Sequence, residues 1–181
     1  MEVSDQRLTA TTFEDLALPL FDQLYNFARW LTQDTSEAED LVQETYAKAL
    51  RGFPSFQVGT NFRAWMYRIL KNSFLSSRTG LRASVPLDEE DPDNAPAAEG
   101  PTPESLVIQQ SNRELVQKAL EELPIHYREI LLLCEVEEMS YQEISEALSI
   151  PVGTVMSRLF RARKALRGLL QQKLQGGRHG L

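Results

Sequence analysis

The segment Ser140–Leu170, SYQEISEALSIPVGTVMSRLFRARKALRGLL, constrains this chain more than any other. Ser140 and Glu143 have the spacing of a capping box, in which each side chain covers an unpaired backbone donor of a helix's first turn. Ile144, Ala147 and Leu148 follow at helical spacing. Ser149, Ile150 and Pro151 break the run, and Pro151 suits the first turn of a new helix, where its missing N–H costs nothing. In that second helix Val152, Val155, Leu159, Ala162, Leu166 and Leu169 share one side, the predicted buried one. Met156, Ser157, Phe160, Arg161 and Lys164 lie on the neighbouring face. From Ser157 to Lys173 there are six basic residues and no acidic one. A short helix, a turn and a longer basic helix predict a helix-turn-helix whose second helix enters the major groove of DNA. An αα-hairpin with a solvated basic face is the alternative.

Net charge needs dividing before it says anything about DNA. The chain carries −7 over 181 residues. Residues 1–83 hold nine basic and ten acidic side chains, residues 84–110 none and seven, and residues 111–181 ten and nine. The excess therefore sits in one short segment. Two nearly neutral segments with locally basic faces should hold free DNA weakly, because affinity depends on the phosphates neutralised. A partner is implied.

Other classes are narrowed quickly. One cysteine, Cys134 in the apolar run ILLLCEV, excludes an internal disulfide and fits a reducing compartment. A buried, inert thiol is the expectation there. His126 and His179 are the only histidines, so no metal-ligand spacing exists and neither metal nor cofactor is expected. No stretch approaches the ~18 apolar residues that span a membrane, and MEVSDQR has no signal-peptide pattern. The expected location is cytoplasmic. No nucleophile–base pair or phosphate-cradling Gly-rich loop is visible, so an enzyme is not expected.

Taken in order, a first helix is predicted from near Thr12, with Phe13, Leu16, Leu20, Leu24, Phe27 and Leu31 as its apolar stripe and a kink at Pro19. Asp34 or Ser36 can cap a second helix, with Leu41, Val42, Ala49 and Leu50 inward and an acidic outer face of Asp40, Gln43 and Glu44. Taken alone, that face reads as ordinary solvated surface. Gly52 and Pro54 end it, and Phe53–Thr60 forms a loop. Asn61 can cap a third helix, NFRAWMYRILKNSFLSSR, with Phe62, Trp65, Met66, Ile69 and Phe74 at core spacing. Its other side carries Arg63, Tyr67, Lys71 and Arg78, with Arg68 and Asn72 beside them. Cations interleaved with an aromatic suit a single-stranded nucleic acid, and ordinary solvation could also produce them. Residues 84–108 are an acidic, Pro-rich linker without periodicity. A helix ending before Pro124 and another over Ile125–Val136 lead into the hairpin, so residues 109–181 form a second helical domain and 1–83 the first.

Together, EAEDLVQETYAKAL, FRAWMYRILKNSF and SYQEISEAL with PVGTVMSRLFRARKAL resemble the extracytoplasmic-function group of bacterial RNA polymerase sigma factors. The resemblance covers nearly the whole chain in the right order. GTNFRAWMYRIL and PVGTVMSRL look closest to the branch that answers thiol and oxidative stress.

The resemblance implies an all-α fold of two small domains on a flexible acidic tether, with no catalysis of its own. It implies three partners: core RNA polymerase, promoter DNA and an anti-sigma factor. Asp40, Gln43 and Glu44 fall where the family docks on the clamp helices of the largest polymerase subunit. The loop Phe56–Asn61 matches the loop that holds a base flipped from the −10 element, and Arg63, Tyr67, Lys71 and Asn72 lie on the helix placed against the melted strand. Extracting that base costs a few kcal/mol of stacking, which polar and aromatic groups must offset. Thr154, Met156, Ser157, Phe160, Arg161 and Lys164 fall on the helix that reads the −35 element. Many members carry Lys or Arg where Met156 stands, and a thioether cannot donate to phosphate or guanine. The linker is expected to thread the polymerase toward the RNA exit path, either as a plain spacer or with its carboxylates occupying a basic channel. A stand-alone helix-turn-helix regulator remains the alternative function.

Overall fold

The computed structural model describes residues 11–79 and 110–176. The linker, Leu106 and nearly all of the tail GGRHGL lie outside them. Among the described residues every regular element is a helix, joined by turns and loops, one of which carries an isolated bridge between Val58 and Thr60. No described helix is long and apolar enough to cross a membrane.

The first half is three helical layers around one core. Thr12 and Asp15 form a capping box that starts α1 (Phe13–Ala17). Pro19 turns the next residues, Leu18–Leu20, into a 3₁₀ turn, the kink expected of it, before α2 (Phe21–Thr32). Gln33 in the left-handed region (φ 60°) ends α2, and Asp34 caps α3 (Thr35–Gly52) by accepting from Glu37 N–H at 2.8 Å. A second 3₁₀ turn, Phe53–Ser55, leads to the loop before α4 (Phe62–Thr79). Asn61 starts α4, its Oδ1 accepting from Ala64 N–H at 2.9 Å. Leu24, Phe27, Leu31, Leu41, Val42, Met66, Leu70 and Phe74 fill the space between α2, α3 and α4. Each such side chain contributes roughly 1.5–3 kcal/mol by leaving water.

The second half comprises α5 (Gln110–Glu122), α6 (Ile125–Leu131), α7 (Tyr141–Leu148) and α8 (Val152–Gly176). The helix expected over Ile125–Val136 widens after Leu131 into a π turn, with Glu137 N–H bonded to Leu132 O, and Glu138 at φ 52° ends it. Ser140 and Glu143 make the capping box of α7 in both directions. Ser149 closes α7 in the left-handed region (φ 56°), and the Ser145 hydroxyl donates to Ile150 O at 2.6 Å, tightening the turn. Pro151 stands one residue ahead of α8, its carbonyl accepting from Val155 N–H. Val155, Leu159 and Ala162 are buried against α6 and α7, while Val152, Leu166 and Leu169 are half-buried.

The two halves are not held apart. Helix α4 lies against α7 and α2 against α6, so that one hydrophobic core runs through both. The Arg128 guanidinium reaches Trp30 O at 3.4 Å across this junction.

Candidate nucleic-acid and polymerase interface

Three surfaces carry the residues singled out in the sequence. On α8, Met156 (55% exposed), Phe160 (41%), Arg161 and Lys164 point outward, with Thr154 and Ser157 half-buried beside them. The Ser157 hydroxyl donates back to Thr154 O at 3.2 Å. The six cations of this stretch do not act as one face. Arg158 stands 3.8 Å from the buried Glu129, Arg163 donates to Glu135 at 2.6 and 3.1 Å, and Lys173 pairs with Glu122. Arg161, Arg163, Lys164 and Arg167 are the exposed ones, Arg163 while paired with Glu135. Outward apolar Met156 and Phe160 can meet thymine methyls, while Arg161 can reach a base edge or a phosphate.

The second surface is the loop before α4 and the start of that helix. Gly59 takes φ 98°, a conformation that favours glycine. Thr60 folds back on Gln57, its hydroxyl donating to Gln57 O at 2.7 Å. Phe56 packs on Phe53, Phe62 and Trp65, with ring centroids 6.0, 5.2 and 4.9 Å away. Loop and helix enclose a cleft of about 630 Å³, with Phe56 and Trp65 as aromatic walls and Gln57, Thr60, Asn61 and Arg68 as polar ones; Glu146 of α7 also lines it. Stacking walls with hydrogen-bonding rims are what an unstacked base requires.

Three residues of this surface are bonded to the second domain. The Asn61 amide donates to Glu143 Oε1 at 3.1 Å. Arg63 donates to Glu137 O at 2.7 Å and to its carboxylate at 3.1 Å. Lys71 donates to Leu148 O at 3.1 Å and lies 3.9 Å from Glu129. Asn72 and Arg68 are exposed.

Tyr67 corrects the sequence reading. Grouped there with the exposed cations, it is 1% exposed, its ring edge-on to Phe27 at 5.1 Å. Its hydroxyl is buried without a hydrogen-bond partner, as is Nε of Arg63. Burial, followed by the nearby Glu137 carboxylate, pushes the Tyr67 phenol far above its ordinary range. It cannot stack on a base in this arrangement. Conversely Trp65 and Ile69, expected in the core, are half-buried.

The third surface is the outer face of α3, where Asp40, Gln43 and Glu44 are all exposed and Glu44 pairs with Lys48 at 2.6 Å. Leu50, expected inward, is 55% exposed. It stands seven residues, two helical turns, beyond Gln43, and so extends this strip with an apolar end. That spacing was the available signal.

Two buried groups escaped the sequence reading altogether. Arg128 donates to Leu120 O (2.7 Å), Glu121 O (2.5 Å) and Leu123 O (3.1 Å), closing the C-terminal end of α5. Glu129, 3% exposed, is raised above the usual carboxylate range by burial, partly offset by Lys71 and Arg158. Cys134 is half-buried rather than buried; loss of solvent pushes its thiol up, which keeps it protonated.

Comparison with known proteins decides the family. The chain matches the family described as Sigma-70 region 2 over residues 19–83 and that described as Sigma-70, region 4 over residues 113–166. It is 31% identical over 166 residues to the ECF RNA polymerase sigma factor SigW of Bacillus subtilis, covering 88% of this chain and 89% of that protein. The chain belongs to the ECF group of RNA polymerase sigma factors. The ECF sigma factor SigE of Mycolicibacterium smegmatis is 36% identical over 160 residues, which cover 88% of this sigma factor and 62% of SigE's length. Among solved structures, the sigma factor RpoE from Bartonella quintana, crystallised with the anti-sigma factor NepR, superposes with a TM-score of 0.63 at 30% identity, covering 87% of this chain and 98% of that one. The α3 strip and the loop–α4 surface of this sigma factor lie within the region 2 match, and the outward positions of α8 within region 4.

Proposed function

We propose that this sigma factor binds core RNA polymerase through the α3 strip and directs it to promoters whose −10 element is opened by the loop and α4 and whose −35 element is read by α8. The aromatic-walled cleft between Phe56 and Trp65, inside the region 2 match and rimmed by Gln57, Thr60, Asn61 and the exposed Arg68, is the observation that carries this reading. Asp40 and Glu44 offer charge that would steer a basic coiled coil and set its register. Gln57, Thr60 and Asn61 offer polar edges to an extruded base. Arg161 and Ser157 would contact base edges or phosphates of the −35 duplex, and Met156 and Phe160 apolar groups. Catalysis of RNA synthesis belongs to the polymerase, and the place of action is the cytoplasm. The structural relative crystallised with NepR supports an anti-sigma partner that competes with core polymerase for these faces, and the ECF relatives support a role in a stress response.

Purified core polymerase is assayed for transcription on a library of genomic fragments, with and without the protein. Start sites that need both components and share two spaced motifs are expected. Specific DNA binding without polymerase, and no start-site selection with it, would replace this reading with that of a stand-alone regulator.

A further inference from the structure

The α3 strip contains one side chain that is tied to the fold beneath it. Glu44 Oε1 stands 2.6 Å from the Lys48 ammonium, one turn further along the helix. Lys48 in turn donates to the Ser73 hydroxyl of α4 at 3.1 Å. Ser73 is 1% exposed, so its oxygen is a fixed point in the seam between α3 and α4. An exposed i,i+4 ion pair by itself fixes little, because two long side chains must be ordered in water to make it. Here the cation is tethered at both ends, and its far end is buried.

We propose that Lys48 is a positioning residue for polymerase docking: anchored on Ser73, it holds the Glu44 carboxylate in the orientation that a basic coiled coil meets. This rests on the reading of α3 as the docking strip. The Glu44 side chain remains 46% exposed and that of Lys48 38%, so a partner can reach the carboxylate without breaking the bridge. A glutamate that is already ordered loses less rotamer freedom when it docks, which lengthens the life of the complex. Lys48 does this in spite of its charge, because a cation on this face repels a basic partner. The two effects separate kinetically: orientation acts on dissociation, charge on association.

Biolayer interferometry of the full-length protein on immobilised core polymerase reads both rates. Lys48→Met keeps most of the stem and removes the ammonium. Its complex should dissociate about two- to tenfold faster, the effect of having to order one long side chain on binding, while association should not slow. Lys48→Arg, which can still bridge Glu44 and Ser73, should dissociate like wild type, and Ser73→Ala should fall between the two. In a Glu44→Gln background Lys48→Met should have little further effect, because the carboxylate it orients is gone. Three results would overturn the proposal: unchanged dissociation of Lys48→Met, a Ser73→Ala protein that dissociates like wild type, or a Lys48→Met effect as large in the Glu44→Gln background as outside it, which would make Lys48 a direct contact. Wild-type protein that does not bind core polymerase at all would instead refute the docking reading, and the proposal with it.

Discussion

Arg128→Ala tests whether one side chain closes the C-terminal end of α5. The last carbonyls of a helix have no partner within it. Here Leu120 O, Glu121 O and Leu123 O are all taken by one guanidinium. Leu120 and Leu123 are buried, so water cannot readily replace the arginine there, whereas exposed Glu121 can be solvated. Two stranded buried acceptors cost about 1–3 kcal/mol each. Against this, the variant no longer desolvates a guanidinium, a burden visible in the lowering of the Arg128 pKa by burial. The net is a loss of about 2–3 kcal/mol. At about 2–4 °C per kcal/mol for a chain of this size whose halves share one core, the melting point should fall by roughly 5–10 °C. Lysine keeps the charge but not the fork of donors, so Arg128→Lys should recover only about half of the loss. Urea denaturation followed by circular dichroism measures all three proteins, with an unchanged slope needed for the comparison. If Arg128→Ala stays within about 0.5 kcal/mol of wild type, solvent closes α5 as well as arginine does, and the reasoning is wrong.

Three further outcomes are expected. Arg161→Ala should weaken promoter binding by the holoenzyme by ~1–3 kcal/mol if Arg161 reads a base, and an equal loss on promoter and random DNA would make it a backbone contact. Asp40→Ala with Glu44→Ala should slow association with core polymerase, and the difference from wild type should shrink at high salt; a salt-independent defect would argue against steering. Glu129 has a folded-state pKa raised by burial, so its contribution to stability is fullest below its unfolded pKa and is lost as pH rises through the folded value. Glu129→Gln should therefore gain on wild type as pH moves from the acidic range toward neutrality, and a gap that moves the other way would mean that Lys71 and Arg158 outweigh desolvation.

Much of this architecture could be read from the chain because its helix ends carry side-chain signals. Asp15, Asp34, Asn61 and Ser140 each mark a helix start through a local hydrogen bond, and local bonds depend only on spacing. Faces were harder to assign. Periodicity separates two sides of a helix but presumes that one of them meets water. Helix α4 breaks that premise, lying on α2 and α3 on one side and α7 on the other. Tyr67 was therefore placed among solvated cations when it is in the core, and Trp65 in the core when it walls a cleft. Arg128 and Arg158 give no sign in the sequence that their partners are a helix end and a buried carboxylate, because those partners are set by packing between helices.

How the charges are shared out also bears on why such a protein needs a polymerase to find DNA. Of the six cations between Ser157 and Lys173, Arg158, Arg163 and Lys173 face the protein's own Glu129, Glu135 and Glu122. At most the four exposed cations, Arg161, Arg163, Lys164 and Arg167, could neutralise phosphates, equivalent to a salt slope no steeper than about −4 in log–log terms. Asn61, Arg63 and Lys71 are engaged with region 4 in the same molecule. Few phosphate contacts are therefore expected from this chain by itself. Tight promoter binding should therefore need further phosphate contacts supplied by the polymerase.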